Sequence, residues 1–166
     1  MSNPALCVFV NTKLKSMNMG KAMAQSSHVA NAFVAYAIID HGLLDDEPVI
    51  FHDLQQAAID WYRSTPQGFG TQLNYEPKDF LNDLYTIEDA ANTNDWMFGT
   101  VTDPTYPFEV DAEVFELLDK SKIVSSHKKS DGSYFCTRSE ITGFYVFGDR
   151  DDPEFKSFMR QWKLHP

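Results

Sequence analysis

A chain of 166 residues is long enough to bury one ordinary core and too short for two comfortable domains, so we read a single domain over residues 1–166. With 43% hydrophobic and 23% charged residues it has the make-up of a soluble globular protein, and its longest apolar run, Phe33 to Ile39, is far too short to cross a bilayer. The formal net charge of −10 argues at first against a phosphate-rich partner, because phosphate contacts need lysine and arginine.

The distribution of that charge changes the argument. Residues 1–39 carry Lys13, Lys15 and Lys21 and no acid, residues 40–117 carry 17 acids against Arg63 and Lys78, and residues 118–166 carry nine basic and seven acidic side chains. Two arrangements fit: a positive surface where the first loop meets Lys120, Lys122, Lys128, Lys129 and Arg138, or a solvated acidic surface with scattered lysines.

In chain order, Met1-Ser2-Asn3-Pro4 has neither a basic n-region nor an apolar stretch, which makes the cytoplasm the default compartment. Leu6 to Val10 reads as an apolar strand, and a lysine-bearing loop leads into a helix starting near Met19. On that helix Lys21, Gln25 and His28 fall at i, i+4 and i+7, a polar line that a core helix does not need. Asp40 to Pro48 is a polar loop, and Phe51 to Arg63 a helix packing through Trp61 and ended by Ser64-Thr65-Pro66-Gln67-Gly68. Gly70 to Tyr75 is a strand. Pro77 opens a helix with Phe80, Leu81, Leu84 and Ile87 as its apolar stripe. Trp96 to Thr102 is a strand stopped at Asp103-Pro104-Thr105-Tyr106-Pro107, whose prolines forbid a central ladder. Residues 110–118 form a short helix with Val114, Phe115 and Leu118 inward, and Ser130-Asp131-Gly132-Ser133 a turn. Two strands follow, Tyr134 to Thr137 and Ile141 to Phe147. Asp152-Pro153 caps a last helix with Phe155, Phe158, Met159 and Trp162 at core spacing. Strands alternating with helices predict a three-layer α/β/α sandwich around a small mixed sheet of about four strands.

Cys7 and Cys136 both sit in apolar, strand-like surroundings and read as buried free thiols. The histidines, at 28, 41, 52, 127 and 165, show no paired metal spacing, so neither a metal nor any other cofactor is expected. A nucleotide-triphosphatase loop is excluded, since Ser16 and Ala22 fill its first glycine and final hydroxyl positions.

The segment Leu14-Lys15-Ser16-Met17-Asn18-Met19-Gly20-Lys21-Ala22-Met23-Ala24-Gln25-Ser26-Ser27-His28-Val29 resembles the signature of type 2 peptidyl-tRNA hydrolases, roughly L-K-M-G-K-G-K-x-A-A-Q-x-x-H-A. The resemblance continues in Leu81-Asn82-Asp83-Leu84-Tyr85, in the strand reaching Asp103, and in Gly148 through Lys163-Leu164, about two thirds of the chain. Extra material falls near 40–66 and 108–132. Asn18 and Met19 replace the family's first loop glycine and lysine, Lys21 keeps the catalytic lysine, the threonine after the aspartate is displaced to Thr105, and Ser139-Glu140-Ile141-Thr142-Gly143 stands where the family has a proline-glycine-threonine turn.

The resemblance implies a type 2-like fold and metal-independent hydrolysis of the ester joining a peptide to the ribose of tRNA. Asp103 would be the base or water-orienting group, and Lys21 would bind the terminal phosphate or stabilise developing charge. Gly20, Gln25, His28, Thr105 and Lys15 would contact substrate, and the partners implied are peptidyl-tRNA and a second copy of the chain. The alternative, motivated by the departures and the acidity, is a retired hydrolase fold that binds a protein or small ligand.

Overall fold

The computed structural model describes residues 1–39, 53–64 and 70–165. The elements in order are β1 (Pro4–Val10), α1 (Met19–Val34) with a π-helical extension Ala35–Ile39, α2 (Asp53–Arg63), β2 (Thr71–Glu76), α3 (Phe80–Thr93) and β3 (Met97–Val110). There follow α4 (Ala112–Leu117), a 3-10 turn Lys120–Lys122, β4 (Ile123–Lys128), β5 (Tyr134–Asp149), α5 (Pro153–Met159) and β6 (Lys163–Leu164).

β1 is apolar at every inward position because both faces of the sheet are covered. Leu6, Val8 and Val10 pack with Val29 and Phe33 of α1 and with Ala57, Ala58 and Trp61 of α2. Cys7 and Phe9 pack on the other face with Phe80, Leu84, Ile87 and Ala91 of α3 and with Phe155 and Met159 of α5. Phe33 sits edge-on to Trp61 and Tyr145, and Phe9 stacks on Phe144 at 4.7 Å. These aromatic pairs add about 0.5–1.5 kcal/mol each beyond their burial.

The fold is mixed α/β, and the sheet is larger than the four strands expected. Six strands are seen among the described residues, in the order β3-β5-β1-β2-β6 with β4 added to β5. β1 and β2 are parallel; every other pair is antiparallel. The two late strands expected separately are the single 16-residue β5. Its second half lies between β3 and β1, and its first half between β3 and β4, so one strand is the centre of both the sandwich and a projecting three-stranded arm.

Other boundaries differ for local reasons. β3 does not stop at Asp103 but runs through both prolines, which an edge strand tolerates because one side of its backbone has no ladder to serve. α3 starts after Asp79 rather than at Pro77: the Asp79 carboxylate accepts the Asn82 N–H at 3.3 Å, and buried Asp83 reaches back to the Asp79 N–H at 3.1 Å. Leu81 falls out of phase with the buried Phe80, Leu84, Ile87 and Ala91 and is exposed. No residue of α4 is buried; Phe115 lies flat on Tyr134, 3.9 Å between ring centres, and Val114 is exposed. The last helix ends at Met159, and the chain turns at Trp162 into β6. The expected Asp40–Pro48 loop, Phe51, and Thr65 to Gly68 of the expected stop lie outside the described residues.

Candidate functional site

The first turn of α1 is built by Asn18. Its extended backbone precedes the helix and its side-chain Oδ1 accepts the Lys21 N–H at 3.0 Å, the arrangement of an N-cap. The loop before it is fastened to β3, since Ser16 Oγ donates to the Pro107 carbonyl at 3.0 Å. α1 therefore presents its amino end to the middle of β3.

Two bulges deform the β3–β5 ladder at this place. Thr142 is an extra residue on β5 opposite the Val101–Thr102 step, and Asp103 to Tyr106 spans one more residue than Arg138 to Glu140 across from it. Such bulges re-aim side chains and sharpen twist. Here the first sends the Thr142 hydroxyl into the core, where it donates to Gln25 Oε1 at 2.8 Å. The second turns Asp103 back on its own strand, its Oδ1 accepting the Thr105 N–H at 2.9 Å and the Thr105 hydroxyl at 3.4 Å. Asp103 Oδ2 has no donor among the described residues.

The line of Lys21, Gln25 and His28 is thus divided. Gln25 is buried because it is in phase with Val29 and Phe33, the core stripe of α1 at successive i+4 steps. Lys21 is exposed and directs its ammonium to Tyr106, 6.0 Å from the ring centre, and it makes no ion pair with Asp103. His28 is exposed and no hydrogen bond or ion pair reaches it among the described residues. Lys15 is exposed on the docked loop and Thr105 on the bulge. Gly20 has space: a Cβ there would meet only Asn18 Oδ1, at 3.5 Å.

A cleft of about 680 Å³ opens on the other side of the same helix turn. Its walls are Met17, Met19, Ala22 and Met23 on one side and Asn74, Tyr75 and His165 on the other, above Val8 and Val10. Ser26 Oγ donates to Asn74 Oδ1 at 2.7 Å and Gln72 Nε2 to Ser26 Oγ at 2.9 Å, tying α1 to β2 at its end. The cleft lies at the carboxyl ends of β1 and β2, the parallel pair, where α/β sheets commonly receive ligands. In the sequence Asn18 stood out only as a departure from a motif, although an asparagine before a helix is the signal of a cap; the cleft was not legible, because it joins residues more than fifty positions apart.

The basic side chains of the arm are largely paired. Lys129 meets Glu109 at 3.1 Å, Arg138 meets Glu140 at 2.6 Å, and Lys120 and Lys122 lie 4.0 Å from Glu116 and Asp119. Such exposed pairs add little stability, yet each offsets the positive charge that the sequence places there. Lys120 also sits over Phe115 and Arg138 over Phe108.

Among the described residues no group of three or more His, Cys, Asp or Glu side chains is placed to hold a metal ion, and no helix is long and apolar enough to cross a membrane. The chain matches no protein-family model, no curated protein and no solved structure.

Proposed function

We propose that the chain is a type 2-like peptidyl-tRNA hydrolase, with Lys21 and Asp103 as its working pair. The observation that carries the reading is the meeting of α1's first turn with the Asp103 bulge, where the Lys21 ammonium stands 6.0 Å from the ring of Tyr106. In this reaction Asp103 takes a proton from water as the water attacks the ester carbonyl, and returns it to the departing ribose oxygen. Asp103 Oδ2 is the oxygen free to do so, while Thr105 holds Oδ1. Lys21 offsets the negative charge of the tetrahedral oxyanion or of the terminal phosphate. Thr142 holds Gln25 and so fixes the turn of α1 from which Lys21 extends.

The test is release of free tRNA from peptidyl-tRNA by the wild-type chain, Lys21→Ala and Asp103→Asn, each checked for folding by circular dichroism. The expected result is activity that each substitution lowers by about 100-fold or more. A folded wild-type protein that leaves the substrate intact, where a control hydrolase clears it, overturns the reading.

A second reading, a binding module that keeps the fold without catalysis, is favoured by the methionine-walled cleft. Met19 is 80% exposed and Met23 68%, a soft apolar surface able to repack around a ligand. Turnover that depends on Asp103 counts against it.

A further inference from the structure

On the opposite face of the sheet from Val8 and Val10, α5 and β6 border a second, open cavity of about 550 Å³. Its size is that of a small-molecule site. The apolar part is Cys7, Tyr75, Phe155, Met159, Trp162 and Leu164, and around it stand Arg150, Lys156, Arg160 and Lys163. Four of the chain's fourteen basic residues thus gather at one opening, in a protein of net charge −10.

Three of these cations, unlike most of those of the arm, are unpaired. No ion pair or side-chain hydrogen bond engages Lys156, Arg160 or Lys163 among the described residues. The one acidic residue in the lining, Asp151, is already occupied, accepting from Asn3 Nδ2 at 3.2 Å and from Ser2 Oγ at 3.0 Å. Arg150 gives one terminal nitrogen to Asn3 Oδ1, at 2.5 Å, while its Nε is buried without an acceptor. The indole N–H of Trp162, a residue only 6% exposed, is likewise buried and unpartnered. Buried donors in native proteins normally find acceptors. Two such donors belong to residues that line one cation-ringed cavity, and an acceptor entering it reaches them once the lining shifts.

We propose that this cavity binds a small phosphomonoester with a flat apolar body. The body lies against Trp162, Met159 and Phe155, and the dianionic head meets the guanidinium and ammonium groups at the rim. Four cations facing a single engaged carboxylate suit a dianion better than a monoanion, because each added charge of the head gains from the same ring. The site is separate from Lys21 and Asp103 and does not depend on the hydrolytic reading.

The test is titration of the full chain with phenyl phosphate, followed by two-dimensional amide and indole N–H spectra, beside inorganic phosphate, phenol and benzoate. Expected are a shift of the Trp162 indole N–H with phenyl phosphate and affinities at least tenfold weaker for the other three. The double substitution Arg160→Gln, Lys163→Gln alters two exposed side chains, and should weaken phenyl phosphate at least tenfold with the spectrum's dispersion unchanged; Lys128→Gln should not. Absence of phenyl phosphate binding overturns the proposal. So does inorganic phosphate binding as tightly, which would mean surface cations alone, or phenol binding as tightly, which would mean an apolar pocket alone. Benzoate binding as tightly overturns the phosphate assignment.

Discussion

The hydroxyl of Thr142 donates to the side-chain carbonyl of Gln25 at 2.8 Å, joining the bulge of β5 to the second turn of α1 across 117 residues of chain. Both residues are buried, Thr142 completely. A buried acceptor deprived of its donor costs about 1–3 kcal/mol. Thr142→Val should therefore lower unfolding free energy by about that amount in a urea titration, and Thr142→Ser should recover most of it. If the contact also aims the amino end of α1, Thr142→Val loses tRNA release while Thr142→Ser keeps it.

Gly20 separates the needs of the fold from those of the site. A Cβ at this position finds ordinary contact with Asn18 and nothing closer, and alanine is favoured over glycine inside a helix by up to about 1 kcal/mol. Gly20→Ala should melt at the wild-type temperature or slightly above it. Loss of activity in so stable a variant would identify the place where substrate meets the backbone of α1.

Gly143 makes the opposite case. Its Cβ would stand 2.5 Å from Val29 Cγ2 and 3.1 Å from the Phe9 carbonyl oxygen, in a packed part of the sandwich. Overpacking of this kind costs about 1–3 kcal/mol. Gly143→Ala is expected to shift the urea midpoint down accordingly; an unchanged midpoint would show that α1 can move off β5 freely.

Burial pushes the Cys7 thiol up to about 12, against a smaller opposing effect of Tyr75, and burial raises Cys136 as well. The reactive thiolate is then scarce at pH 8. Neither thiol should react with a chromogenic disulfide in the native protein, and both should react once urea has unfolded it.

Asp149 ties the start of the chain to the end of β5. Burial would raise its carboxyl, but N–H groups of Asp151, Ser2 and Asn3 and the nearby terminal ammonium outweigh that and hold it below the usual carboxylate range. A carboxyl lowered on folding contributes stability that is fully present above its unfolded value of about 3.9. That contribution is lost as the pH falls below this value and through the folded one. Asp149→Asn should show a lower melting temperature at pH 7 and a smaller further loss than wild type between pH 4 and pH 2.

Much of the element order was legible because it is written in periodicity: the strand Leu6 to Val10, the Trp61 helix and the Asp152-Pro153 cap each occupy a few neighbouring residues. What was not legible depended on distant chain. The prolines at 104 and 107 looked like a stop only because β3's place at the sheet edge was unknown, and Tyr134 to Thr137 and Ile141 to Phe147 looked like two strands only because the polar run Arg138-Ser139-Glu140 parts their apolar stretches without breaking the strand. The polar line on α1 was misread for the same reason. Gln25 has the phase of Val29 and Phe33, so its burial was already in the spacing, but its partner Thr142 was known only as a departure from a motif.

The placement of β5 also governs when the chain can fold. β1 has β2 on one side from residue 76 onward, but its other side pairs with Gly143 to Asp149, so that edge stays open while most of the chain is made. At about 5–20 residues per second, synthesis leaves it open for on the order of ten seconds. During that time Leu6 to Val10 is an apolar strand with one free hydrogen-bonding edge, the form most prone to pair with another nascent chain. Dilution and a chaperone that shields extended apolar segments should therefore raise the yield of folded protein far more than any change to the arm, which is made and paired late.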